Sequence, residues 1–106
     1  MPKRFVCIEP SYLWFFRINS KSVWEPNYLL RYDECKPVLE WDSYAELAGI
    51  APIADAAHLV ASGDVEELGE FPPLVMAGLL DAALQAKTLT GREKRILAER
   101  LKIESR

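Results

Sequence analysis

The aromatic residues of this 106-residue chain are confined almost entirely to its first half. Ten of the eleven lie at or before Tyr44, and Phe71 is the only one beyond it; alanine and leucine dominate the remainder. Aromatic side chains favour strands, whereas alanine and leucine favour helices. The partition therefore predicts an α+β fold in a single domain, 1–106, with an aromatic-rich β part at 1–41 and an Ala/Leu-rich helical part at 42–106.

Within residues 3–41 the apolar pattern predicts a small antiparallel sheet of about three to four strands. Ser11–Ile18 is apolar on both faces, which is typical of a central strand. Asn27–Asp33 fits a strand and a two-turn helix equally well, because short apolar runs do not separate the two. The other candidate strands are Lys3–Ile8, a return strand that begins at Val23-Trp24, and Pro37–Trp41.

The composition and capping signals of residues 43–103 predict three to four helices packed on this sheet. Gly63 is expected just past the end of one helix, and Thr90 with Glu93 matches a capping box at the start of the last. The predicted helices are Tyr44–Ala48 capped by Asp42 or Ser43, one from Pro52 through Ala61, one from Pro72-Pro73 to about Lys87, and one from the capping box to about Ile103.

The helix that begins at the double proline is apolar around most of its circumference, with Leu79 and Leu80 near its centre. A surface helix normally keeps one clean polar face, so this one has to be enclosed on several sides. Two interpretations stay open. The helix is central in the chain's own core, or one of its faces is covered by a partner or by a second copy in a homodimer.

Charge is segregated along the chain. Residues 42–86 carry eight acidic side chains and no lysine or arginine, whereas residues 87–106 carry seven basic and three acidic ones. The acidic segment is a solvated face, or it docks onto a basic surface, either the chain's own tail or a partner, or, as the least favoured interpretation, it mimics nucleic acid. The basic end suggests nucleic-acid binding as an alternative function, but glutamates interrupt it and the isoelectric point of about 5.2 makes nucleic acid an unfavourable partner.

No catalytic constellation is evident. His58 lies one helical turn after Asp55, but no nucleophile or glycine-rich turn accompanies the pair. Two cysteines and one histidine are too few for an ordinary zinc site, so we expect no metal, no cofactor and no enzymatic activity. A small enzyme or ligand-binding protein with a pocket between sheet and helices is the second alternative.

Signals for export or membrane insertion are also absent from the sequence. The apolar run near the amino terminus spans only Phe5–Ile8, and no stretch reaches the roughly 20 residues that cross a bilayer. The expected location is cytoplasmic, with Cys7 and Cys35 as free thiols.

Together these features favour a small non-enzymatic protein-binding module, such as a regulator, adaptor, inhibitor or immunity-type protein. It would bind another protein or a second copy of itself through an apolar patch flanked by acidic residues. The candidate partner-binding residues are Trp24, Trp41, Asp64, Glu66, Glu67, Glu70, Leu79 and Leu80.

Overall fold

Two antiparallel strands joined by a single helical turn begin the fold. The computed structural model describes residues 4–22, 25–35, 38–64 and 68–104. Strand β1 (Arg4–Glu9) pairs with β2 (Trp14–Asn19). The turn between them, Pro10–Tyr12, starts at Glu9, whose carboxylate accepts hydrogen bonds from the backbone N–H and the hydroxyl of Ser11. This contact satisfies donors that the start of a helical turn leaves without partners.

Strand β2 is central in an antiparallel sheet, as its two apolar faces predict. Its carboxyl-terminal end pairs with β4 (Ser43–Glu46), and its amino-terminal end pairs with the short β5 (Ala51–Pro52). Strand β3 (Asn27–Leu30) pairs with β4, so the order across the sheet is β1-β2-β4-β3. The antiparallel sheet that we expected is present, but it continues to residue 52 instead of ending at residue 41.

The helix predicted at Tyr44–Ala48 is wrong, because these residues form β4 and the turn after it. Burial alternates along the segment: Ala45 and Leu47 are buried, whereas Tyr44 and Glu46 are half-buried. Pairing with strands on both sides satisfies this backbone and overrides the local helix signal.

The outcomes of the three remaining strand predictions differ. The ambiguous segment Asn27–Asp33 is a strand as far as Leu30, and a 3-10 turn follows at Tyr32–Glu34. The strand predicted at Pro37–Trp41 is wrong for its described part, since residues 38–41 are turn and loop. The return strand predicted from Val23-Trp24 begins outside the described residues.

Three α-helices follow within the described residues: α1 (Ala56–Ser62), α2 (Pro73–Gln85) and α3 (Gly91–Glu104). Helix α1 starts four residues later than predicted, because Pro52 belongs to β5. It ends as predicted at Gly63, which has the positive φ of 83° that favours glycine. The capping box before α3 is confirmed: Glu93 N–H donates to the Thr90 hydroxyl at 3.1 Å, and Thr90 N–H donates to the Glu93 carboxylate at 2.8 Å.

One face of the sheet and helices α2 and α3 enclose the core. Helix α2 packs against α3 and β3, and α3 packs against β1. Gly78 of α2 lies so close to Tyr28 of β3 that a Cβ at this position would stand 2.4 Å from the tyrosine hydroxyl oxygen. The largest fully buried side chains come from every layer: Ile8, Phe16, Leu30, Cys35, Leu39, Leu79, Leu80 and Leu97.

Helix α2 therefore finds most of its cover within its own chain. Leu79 and Leu80 are both 0% exposed, and among the large apolar side chains of α2 only Leu74, in the first turn, is exposed, at 87%. Leu79 and Leu80, which are among the predicted partner-binding residues, lie in the core, where residues of the sheet and of α3 surround them. Among the described residues, no helix has both the length and the apolar character needed to cross a membrane.

Candidate functional site

The connection between β3 and β4 is described at residues 31–35 and 38–42, where several backbone groups are hydrogen-bonded. Cys35 is fully buried beneath it, and its N–H donates to the carbonyl oxygens of Arg31 and Tyr32 at 3.1 Å. At the other end of the loop, an Asp42 carboxylate oxygen accepts a hydrogen bond from Tyr32 N–H at 2.7 Å. These contacts bring the two ends of the loop together, although ten residues separate them in sequence.

Two aromatic side chains project from this loop into solvent. Tyr32 is 39% exposed and Trp41 is 44% exposed. Four exposed carboxylates lie in the same segment, and we call the resulting group the acidic–aromatic surface. Its members are Tyr32, Asp33, Glu34, Glu40, Trp41 and Asp42.

Basic groups at the acidic–aromatic surface are outnumbered by acidic ones. Arg31 lies 3.6 Å from a carboxylate oxygen of Asp33 and 3.6 Å from one of Glu34. Exposed pairs of this kind contribute little stability, about 0–1 kcal/mol each. By sequence, residues 31–42 carry four acids and two basic residues, of which Lys36 lies outside the described residues. The segment therefore has a net charge of −2.

The Cys35 thiol is affected by this clustering of negative charge. Burial raises the pKa of Cys35, and the carboxylates of Glu34, Asp33 and Asp42 raise it further. A thiol of this kind stays protonated at neutral pH and is a poor nucleophile. Cys35 is accordingly a structural support for the loop.

A piece of the acidic middle segment lies beside the same loop. Gly69 has a φ of 136°, and a Cβ there would lie 3.2 Å from Cγ2 of Val38. Its neighbours Leu68 and Glu70 are both exposed. The backbone at Gly69 therefore lies close to Val38 of this loop, and Leu68 and Glu70 are its neighbours in sequence.

The residues predicted to bind a partner lie in several separate parts of the fold. Trp41 belongs to the acidic–aromatic surface and Glu70 lies in the segment beside it, whereas Leu79 and Leu80 are in the core. Asp64 is exposed after α1, where its carboxylate accepts a hydrogen bond from the Ser62 hydroxyl at 2.8 Å. Trp24, Glu66 and Glu67 lie outside the described residues.

Sequence reasoning missed Tyr32 and its acidic neighbours. The signal was present, because Tyr32 precedes Asp33-Glu34 and Trp41 lies between Glu40 and Asp42. An aromatic residue flanked by carboxylates is poorly suited to a core, since burying it would carry charges out of water. The proximity of the two segments, in contrast, becomes visible only with the fold.

Fewer observations bear on an enzymatic, ligand-binding or nucleic-acid-binding function. His58 is exposed on α1, and no group of three or more side chains able to hold a metal ion occurs within the described ranges. An open groove of about 570 Å³ lies between the start of β3 and the end of α2, lined by residues 25–27 and 85–88. In α3, the Arg92 guanidinium carbon lies 5.7 Å from the centre of the Tyr12 ring, and the amine of Lys102 lies 3.2 Å from a Glu99 carboxylate oxygen.

Comparison with protein-family models, with curated proteins and with solved structures finds no match to this chain.

Proposed function

We propose that this chain is a small, non-enzymatic protein-binding module that docks a partner protein on the acidic–aromatic surface. The observation that carries the proposal is the exposure of Trp41 and Tyr32 within one loop whose ends are joined by the Asp42 hydrogen bond. Regulators, adaptors, inhibitors and immunity-type proteins all work by such docking.

The two aromatic side chains are suited to anchor a partner. Tryptophan and tyrosine are enriched among the residues that dominate binding energy, because they bury a large area at low entropic cost. A loop already held by backbone hydrogen bonds, such as Cys35 N–H to the Arg31 carbonyl oxygen, loses little further freedom on binding.

The carboxylates of the acidic–aromatic surface orient the approaching partner. Asp33, Glu34, Glu40 and Asp42 are exposed and lie beside the aromatic anchors in sequence. A negative surface speeds and orients encounter with a positive one, whereas a second copy of this chain would meet it with like charge. The proposed partner is therefore a different protein with a basic contact surface.

The experiment is a capture from the native host with three immobilised proteins: wild type, Trp41→Ala and Leu74→Ser. Leu74 is the matched control, since it is a more exposed apolar residue on a different element. We expect a protein that wild type and Leu74→Ser retain and that Trp41→Ala does not, and whose purified form binds less tightly as salt rises.

Retention of the same proteins by all three forms would count against this surface. Because Trp41 is exposed, its replacement should leave the fold intact, and thermal unfolding of each variant is the check. A Trp41→Phe variant, which keeps an aromatic ring, should retain part of the binding.

A further inference from the structure

A guanidinium group of the chain itself, that of Arg4, already lies beside Trp41 in the acidic–aromatic surface. The Arg4 guanidinium carbon lies 5.5 Å from the centre of the Trp41 ring, and its Nη2 atom lies 3.9 Å from a Glu40 carboxylate oxygen. An aromatic face and a carboxylate are thus arranged around an arginine side chain, while 44% of Trp41 remains exposed.

From this arrangement we infer that the partner contributes an arginine side chain, from a basic segment, to the exposed part of Trp41. The inference rests on the proposed function, and it names the chemistry of the group that is bound. Trp41 provides the stacking surface, and Glu40 and Asp42, its two neighbours in sequence, provide the negative charge.

Arginine fits this surface better than lysine. A guanidinium is planar and weakly hydrated, so it stacks on an aromatic face and still donates to a carboxylate at its edge. A lysine ammonium is compact and strongly hydrated, and it cannot stack. The Arg4 guanidinium carbon lies within cation–π distance of the Trp41 ring.

Charge favours a protein segment rich in basic residues over other occupants. Residues 31–42 have a net charge of −2, and residues 42–86 that follow contain no lysine or arginine at all. The phosphates of a nucleic acid would be repelled by this surface. A second copy of the chain would present the same carboxylates.

The test uses two amidated peptides of seven residues, one alternating glycine with arginine and the other alternating glycine with lysine. They are titrated into the full chain labelled with ¹⁵N, and the indole N–H signal of Trp41, assigned with Trp41→Phe, is followed by NMR. We expect the arginine peptide to shift this signal and to bind about threefold to tenfold more tightly than the lysine peptide, which has equal charge.

Two variants test which side chains bind the arginine peptide, and a third is a control. Trp41→Ala should weaken binding of the arginine peptide by about fivefold or more, measured on backbone signals of residues 31–42. Glu40→Gln leaves the Trp41 ring in place and should weaken binding of the arginine peptide by about twofold, and high salt should remove this difference from wild type. Leu74→Ser should bind as wild type does.

Equal affinity for the two peptides, absence of binding, or unchanged binding by Trp41→Ala would each overturn the inference. These failures are distinguishable from failure of the proposed function. If capture of a host protein depends on Trp41 while the peptides bind equally or not at all, the docking surface stands and the choice of arginine is wrong. If capture is independent of Trp41, the docking surface itself is wrong.

Discussion

Asp42 and Tyr32 are joined by a hydrogen bond of 2.7 Å from the tyrosine backbone N–H to the aspartate carboxylate, across ten residues of sequence. This contact spans the connection between β3 and β4, and it positions Trp41, the residue before Asp42, beside the start of the same loop. The arrangement of the acidic–aromatic surface depends on it.

Replacing Asp42 with alanine should loosen this loop while leaving the sheet intact. Tyr32 N–H loses its charged acceptor, and because the site is exposed we expect a loss of about 1 kcal/mol in the free energy of unfolding. Urea denaturation measures this loss, and faster hydrogen exchange at Tyr32 N–H locates it. Asp55→Ala is the matched control: Asp55 makes no side-chain capping bond, so its replacement should cost less than about 0.5 kcal/mol. Equal effects of the two substitutions would contradict the assigned role of Asp42.

The capping box of α3 predicts a specific pattern of substitutions at Thr90. Thr90→Ala removes the hydroxyl that accepts from Glu93 N–H, and it should lower the free energy of unfolding by about 1 kcal/mol. Thr90→Ser keeps an equivalent oxygen and should stay within about 0.5 kcal/mol of wild type. Denaturant titrations of the three proteins decide the point, and a serine variant as unstable as the alanine variant would show that the hydroxyl is not responsible.

Gly78 and Tyr28 should be energetically coupled. In wild type, Gly78→Ala brings a methyl group within 2.4 Å of the Tyr28 hydroxyl oxygen, and the overpacking should outweigh the gain in helix propensity by about 1 kcal/mol. In a Tyr28→Phe background that oxygen is gone, and the nearest ring carbon lies 3.3 Å away. The same glycine substitution should then be close to neutral.

A double-mutant cycle measures this coupling, and about 1 kcal/mol or more is expected between the two sites. Gly78→Ala having the same effect in both backgrounds would mean that Tyr28 moves aside without cost.

Alkaline pH should destabilise the protein in part through Cys35. Burial raises the pKa of this thiol in the folded chain, so the folded state retains its proton to higher pH than the unfolded state does. The stabilisation is complete below about pH 8.5, the ordinary pKa of a thiol, and is lost as pH rises through the higher folded value. Stability measured by urea denaturation between pH 7.5 and pH 10 should therefore fall less in Cys35→Ala than in wild type. Parallel pH curves for the two proteins would contradict the prediction, whatever the difference in their absolute stability.

The parts of the fold that sequence predicted correctly are those specified by neighbouring residues. Thr90 and Glu93 satisfy each other's backbone within four residues, and Gly63 adopts the positive φ that only glycine adopts without strain. The central position of β2 was also predicted, because strands apolar on both faces are usually central, although only the face with Trp14, Phe16 and Ile18 is buried.

The errors arose where distant residues decide the structure. Asp42-Ser43 before Tyr44–Ala48 has the local appearance of a helix start, yet β2 and β3 pair with this segment and make it a strand. The apolar surface of α2 was correctly predicted to need cover, but a sequence does not state that β3 approaches as closely as the Tyr28 contact with Gly78 shows. Of the acidic–aromatic surface, only Trp41 was predicted to bind a partner, and the hydrogen bond between Tyr32 and Asp42 that joins the ends of the loop is visible only in the fold.

The position of β4 between β2 and β3 has a consequence for how the chain emerges during synthesis. Strand β3 is made before β4, yet β4 is the neighbour with which it pairs in the sheet. When the first 42 residues have emerged from the ribosome, the β1–β2 hairpin is complete. Strand β4, with which β3 pairs, has not yet emerged. The aromatic half and the Ala/Leu-rich half consequently contribute strands to the same sheet, and a cut between them at residue 42 would separate β3 from β4.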